Sequence, residues 1–151
     1  MIDLDEKDRA ILRLLQENGR MKASELGKRI GLTQPATWRR VKRLQESGIL
    51  IGQRARLNKE SLGFGVTVFL GVKLATKGRV ALADFERAVS AIPEVQLVQH
   101  VLGLYDYRLK VVARDLADFE RVLRRRIMTL PGVGNVEANV LLSEERRAIS
   151  I

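Results

Sequence analysis

Apolar positions fall into two regimes along the chain: helical spacing in the first third, and strands alternating with helices beyond it. In the first regime Leu4, Asp8, Ile11, Leu12 and Leu15 trace one side of a helix that Asn18-Gly19 stops. Asp3 and Glu6 have the spacing of a capping box, and Asp5, Glu6 and Asp8 place negative charge in a first turn, where the helix dipole favours it. A second helix is predicted before Gly31, with Leu26 and Ile30 on one face and Gly27 small enough for a close crossing. A third runs from Thr33 to Ser47, capped by Thr33 and started by Pro35, which fits a first turn because it lacks an N–H. Thr37, Val41 and Leu44 form its buried stripe at about 100° per residue. Two helices meeting steeply across a glycine give a helix-turn-helix.

Beyond Gly48, Ile49-Leu50-Ile51 reads as a short strand, Gly52 as a turn and Gln53 to Leu57 as a return. This predicts a small β-wing, with an ordinary connector as the alternative. Asn58 to Gly65 is a polar, glycine-containing linker, dividing a domain at 1–57 from one at 66–151. The second domain reads as a strand from Val66 to Leu74, a loop from Thr76 to Arg79 and a helix through Val80, Leu82, Phe85, Ala88, Val89 and Ile92. A strand follows from Val95, then a turn at Gly103-Leu104-Tyr105 and a strand from Asp106 to Ala113. An Asp115-capped helix runs to Leu130, and a last strand ends near Leu142. Asp84-Phe85-Glu86-Arg87 recurs as Asp118-Phe119-Glu120-Arg121, and Ile92-Pro93-Glu94-Val95 has its counterpart in Leu130-Pro131-Gly132-Val133. Two β-α-β units in series predict a ferredoxin-like βαββαβ domain. The fold class is therefore α+β, a winged helix-turn-helix followed by this sheet domain. One sheet face is left open, and apolar residues on it would favour pairing of two sheets.

Charge sharpens this picture. The chain of 151 residues carries 27 Lys+Arg against 18 Asp+Glu, a net +9, and residues 1–60 hold 14 of those cations against 8 acids. Such a balance suits a polyanion such as double-stranded DNA, although an anionic membrane surface would also attract it. On the third helix Arg39 and Arg43 point away from the buried stripe and Arg40 and Lys42 flank it, with one acid, Glu46. That is a solvated face or a phosphate-facing one. The helix-turn-helix favours the latter, with Thr33, Gln34 and Thr37 at the leading end, Arg39, Arg40, Lys42 and Arg43 along the helix, and Arg54 on the wing. Trp38 lies on the flank and reads as packing. Arg121, Arg124, Arg125 and Arg126 read as a solvated helix face, with a second DNA-wrapping surface as the alternative.

Other chemistry is sparse. There is no cysteine and one histidine, His100, which removes disulfides, thiol nucleophiles and Cys/His zinc sites; no G-x-S-x-G accompanies His100. No catalytic residue, metal or cofactor is expected. The longest mostly apolar run, Leu62 to Val72, is far short of the roughly 20 residues of a membrane span, and the acidic start is unlike a signal peptide. The expected location is the cytoplasm.

Taken in order, these motifs resemble the Lrp/AsnC family of transcriptional regulators. The resemblance is carried by Leu4-Asp5, Asp8, Ile11-Leu12, Leu15-Gln16 and Gly19-Arg20, then by Glu25-Leu26, Ile30-Gly31-Leu32-Thr33, Arg40-Val41-Lys42-Arg43-Leu44 and Gly48-Ile49. In the second domain it rests on Gly103, Asp106-Tyr107 and Lys110-Val111. The resemblance implies DNA binding by homodimers that assemble to tetramers or octamers, and in many members regulation by an amino-acid effector. It places the effector at Leu102, Gly103, Tyr105, Asp106 and Tyr107; without it, Gly103 and Asp106 read equally well as turn formers. The family commonly has Thr where Leu102 stands and hydroxyl residues where Val136 and Ala138 align, which implies a more apolar effector or none. Lys22 replaces a frequent Ser cap of the second helix. Siroheme decarboxylases share the two-domain plan, so an enzyme of that kind is an alternative, but their His-Asn-Tyr motif is missing. A module without sequence-specific DNA binding is a further alternative.

Overall fold

Helix α1 spans Glu6–Glu17 in the computed structural model, which describes residues 3–76 and 78–151. Met1, Ile2 and Lys77, the last of these in the loop expected at Thr76 to Arg79, lie outside the described residues. Two compact units divide the chain, Leu57–Glu144 forming one and Met1–Arg56 with Glu145–Ile151 the other.

In the helical unit, α1 is followed by α2 at Ala23–Ile30 and α3 at Gln34–Glu46. Ile11, Leu12, Leu15, Met21, Leu26, Ile30 and Leu44 form its core. Gly27 makes the crossing possible: a Cβ there would lie 2.6 Å from the Leu32 carbonyl oxygen and 2.9 Å from the Thr37 hydroxyl. Gly31, at φ +69, turns the chain out of α2. Lys22 caps α2 without a side-chain hydrogen bond, as its replacement of Ser implied. Residues 145–151 pack back onto this unit, with Arg13 Nε donating to the Ile151 carbonyl oxygen at 2.9 Å.

Two expectations change here. The capping box of α1 is formed by Asp5 and Asp8, not by Asp3 and Glu6. Both pairs have the same spacing, and the choice is made by partners on α3. The wing is absent, since no strand forms between Ile49 and Leu57. Gly48, at φ +74, folds the chain back so that the Leu50 N–H donates to the Leu44 carbonyl at 2.9 Å, closing α3 instead of opening a ladder. A lone hairpin with exposed residues on both faces also has little to stabilise it.

The second unit holds β1 at Val66–Leu74, α4 at Arg79–Ser90, β2 at Val95–His100, β3 at Tyr107–Ala113, α5 at Leu116–Val122 and β4 at Val133–Val140. The sheet is antiparallel in the order β2-β3-β1-β4, as a βαββαβ chain requires. Val68, Leu70, Val72 and Leu74 of β1 pack with Phe85, Val89, Phe119, Val122 and Ile127 from the helical layer. A π turn, Leu123–Ile127, extends α5 so that the two together match the 12 residues of α4, and the Met128 N–H reaches the Leu123 carbonyl at 2.8 Å. The outer sheet face is more polar than expected, with Arg108 opposite Gly71 and Lys110 opposite Phe69.

Candidate nucleic-acid interface

Asp8 organises the cationic helix. Its side chain is fully buried, although it sits at the third position of α1 among charged neighbours. It accepts from the Asp5 N–H while the Asp5 carboxylate accepts from the Asp8 N–H at 2.8 Å, so the cap is reciprocal. The remaining carboxylate capacity of Asp8 is taken by α3. Arg40 Nη1 lies 2.9 Å from Asp8 Oδ1 and 2.7 Å from Asp5 Oδ2, and Arg43 Nη2 pairs with Asp8 Oδ2. The Asp5 carboxyl is held below the usual carboxylate range, first by the backbone hydrogen bond from Asp8 and then by Arg40. A buried carboxylate stripped of these partners would be costly, so the arginines are held by geometry rather than by chance surface pairing.

This divides the predicted contacts. Arg40 and Arg43 are committed to α1, although both keep partial exposure. Thr37 is fully buried at the α2 crossing, and its hydroxyl donates to the Thr33 carbonyl at 2.9 Å, which leaves it no outward role. Its predicted place among the DNA contacts is corrected by Gly27, which draws the two helices together there. Thr33 is the N-cap, its hydroxyl oxygen accepting from the Ala36 N–H at 3.4 Å. Gln34, Arg39 and Lys42 stand exposed on the outer face, Lys42 lying 3.8 Å from Glu46. Arg54 is exposed too, in a shallow depression with Arg20, Gln53 and Arg56. Trp38, read from sequence as packing, is 55% exposed beside these residues. In sequence Asp8 was visible as first-turn charge and as an acid on the apolar stripe, but its pairing with Arg40 and Arg43 was not.

The second predicted site is the segment between β2 and β3. Asp106 pins it to β1: its N–H donates to the Val72 carbonyl at 3.0 Å and its Oδ2 accepts from the Leu74 N–H at 2.8 Å. Lys73 Nζ donates to the Leu104 carbonyl at 3.1 Å. Tyr105 lies flat against β1 where Gly71 has no side chain; a Cβ at Gly71 would fall 2.7 Å from the ring. The Tyr105 hydroxyl donates to Glu137, which raises the pKa of the phenol and lowers that of the carboxyl. Leu102, Gly103 and Leu104 project from the fold, Leu102 fully exposed. Tyr107 is different. It is fully buried, stacked on His100 at 4.8 Å and tilted against Phe85 at 4.7 Å, and its hydroxyl donates to Glu86 at 2.6 Å. Burial first, then Glu86, pushes its pKa up. Strand alternation turns Tyr107 into the core, away from the surface its neighbours present. Val136 likewise stands opposite Val72 and packs on the core.

Comparison with known proteins agrees with both halves. The AsnC-type helix-turn-helix domain matches residues 4–45, and the Lrp/AsnC ligand binding domain matches residues 67–149. A proline dehydrogenase transcriptional activator from Rhizobium radiobacter is 40% identical over 140 residues, covering 93% of this chain and 90% of the relative. The leucine-responsive regulatory protein of Escherichia coli is 34% identical, covering 97% and 89%. A transcriptional regulator from Neisseria meningitidis, solved as an L-Met complex, superposes with a TM-score of 0.90 at 32% identity, covering 99% of this chain and 96% of that one. Escherichia coli AsnC superposes at 0.88 and 27% identity, covering 98% and 99%. These relatives are regulators and do not favour the decarboxylase alternative. With both family domains in order and a helix-turn-helix that presents cations on its second helix, the chain belongs to the Lrp/AsnC family of DNA-binding transcriptional regulators.

Proposed function

We propose that this regulator recognises its operator through the outer face of α3, with Gln34 at the leading end, Arg39 and Lys42 along the groove, and Thr33 and Arg54 near the flanking backbone. Arg40 and Arg43 set the angle of α3 on α1 and reach phosphate only with the exposed part of their side chains. The observation that carries this reading is the split of cations on one helix: Arg40 and Arg43 are tied to Asp5 and Asp8, and the outward pair is not. A homodimer would present two such helices to half-sites one helical turn apart or a multiple of it. Assembly to a tetramer or octamer, and a cytoplasmic location, follow the family resemblance.

The segment at Leu102, Gly103 and Tyr105 is the proposed effector contact. Two exposed leucines, Leu102 and Leu104, suit an amino acid with an apolar side chain, and the Neisseria meningitidis relative was solved with L-Met. Asp106 acts there by shaping the segment, because its carboxylate already accepts from β1.

Fluorescence anisotropy at one fixed salt, with the duplex upstream of the protein's own gene against a shuffled duplex, tests the DNA reading, since charge alone gives a basic protein some affinity. A preference of about tenfold, near 1.4 kcal/mol, is expected. Equal affinity for both, repeated with duplexes drawn from a randomised pool, would overturn it. Adding L-methionine or L-leucine should shift that affinity or the assembly size.

A further inference from the structure

Trp38 has no structural duty that the fold explains. It is the only tryptophan of the chain, it belongs to neither hydrophobic cluster, and more than half of it is exposed. The inward face of α3 is already filled by Thr37 and Leu44, with Val41 packed against the core. On the outer face, about 100° per residue puts Gln34, Trp38, Lys42 and Gln45 in one row along the helix. Lys42 Nζ sits 5.1 Å from the centre of the indole ring, close enough for a cation–π contact that holds the ring against the helix. Arg39, exposed on the neighbouring row, gives this apolar surface a cationic border.

That combination fits one kind of partner. Cations at the rim match phosphates, and the apolar feature that a base pair offers in the major groove is the thymine 5-methyl. A second copy of the same helix would instead bring like charges together across the interface. We propose that Trp38 is a specificity-determining residue whose indole packs on thymine methyl groups of the operator half-site, with Lys42 fixing the ring and Arg39 meeting the backbone beside it. This rests on the reading of α3 as the recognition element. It adds a preference that the charged residues alone do not supply, because phosphate contacts are blind to sequence.

The test uses the full-length protein and a duplex that it selects from a randomised pool. Replacing single thymines in that duplex by deoxyuridine removes the methyl and nothing else. For the native protein, one or two positions per half-site should weaken binding about fourfold each, the effect of one methyl-sized apolar contact. W38A should bind the thymine and uridine duplexes alike, W38F should retain part of the discrimination, and the thermal midpoint of both should stay near that of the native protein. Emission from the single tryptophan should become less accessible to acrylamide in the complex. Binding of the selected duplex with no loss at any uridine position, and with acrylamide reaching Trp38 as before, would overturn the proposal and leave the DNA reading intact. Failure to select any sequence would overturn both.

Discussion

Helices α3 and α5 are both rich in arginine, yet their arginines are handled differently. Along α5 and its π extension nearly every cation has an acid within a turn or across a short gap: Arg114 and Arg121 meet Asp118, Arg124 meets Glu120, and Arg126 meets Glu94. The arginine ends of these pairs all lie in solvent, although Asp118 and Glu94 are partly covered, and such pairs are each worth little. On α3 the only acid is Glu46, so Arg40 and Arg43 are neutralised from another helix, while Arg39 has no ion pair among the described residues. A cluster of cations is available to a polyanion when local acids are scarce. Counting arginines cannot separate the two cases; counting the acids beside them can.

The largest effect should come from removing the acid that neutralises α3 at a distance. Asp8→Ala takes away a buried carboxylate and half of the capping box, leaving two arginines that can still reach water. We expect a loss of about 2–4 kcal/mol in the helical unit, read by chemical denaturation. A loss within experimental scatter would make the Asp8 cluster no different from the surface pairs of α5. Gly27→Ala attacks the crossing itself. Its Cβ must displace the Leu32 backbone, and about 1–3 kcal/mol should be lost, with DNA affinity falling as α3 shifts.

How much of this was legible follows from the range of the interactions. The start of α3 was readable because Thr33 and Pro35 act within one turn, and β1 was readable because alternation over Val66 to Leu74 is a local property. The βαββαβ order came from a repeat that any reader of the chain can see. The capping pair of α1 was not readable, since Asp3/Glu6 and Asp5/Asp8 differ only in what α3 places near them. Trp38 was placed on a packing flank because a large aromatic is usually buried; the side of α3 that meets α1 turned out to be the Arg40 side. Tyr107 entered the effector segment through the family resemblance, whereas the two-residue period of a strand turns its side chain into the core.

A smaller contrast separates the two helices in their response to substitution. Arg39→Ala should weaken binding to selected and shuffled duplexes alike, as the loss of a backbone contact does, and Arg124→Ala on the α5 extension should change neither affinity nor stability by more than about 0.5 kcal/mol. Smallest is a titration. The Asp118 carboxyl is held down to about 2, first by the side-chain hydrogen bond from Arg114 and then by the Arg114 N–H. Because that pKa is depressed in the folded state, the stabilisation is complete above the ordinary carboxylate range and is lost as pH falls towards 2. Carboxyl carbon shifts followed by NMR should show this, and Arg114→Ala should bring the midpoint back towards 3.8.

The division of α3 into an inward, committed pair and an outward, available face is most directly tested by Arg39→Ala and Arg40→Ala side by side. Both are measured for thermal stability and for affinity to the same selected duplex at one salt concentration. Arg39→Ala should lose affinity at unchanged stability, and Arg40→Ala should lose stability because Asp8 is left short of a partner. An Arg40→Ala protein as stable as the native one but unable to discriminate its duplex would contradict the account.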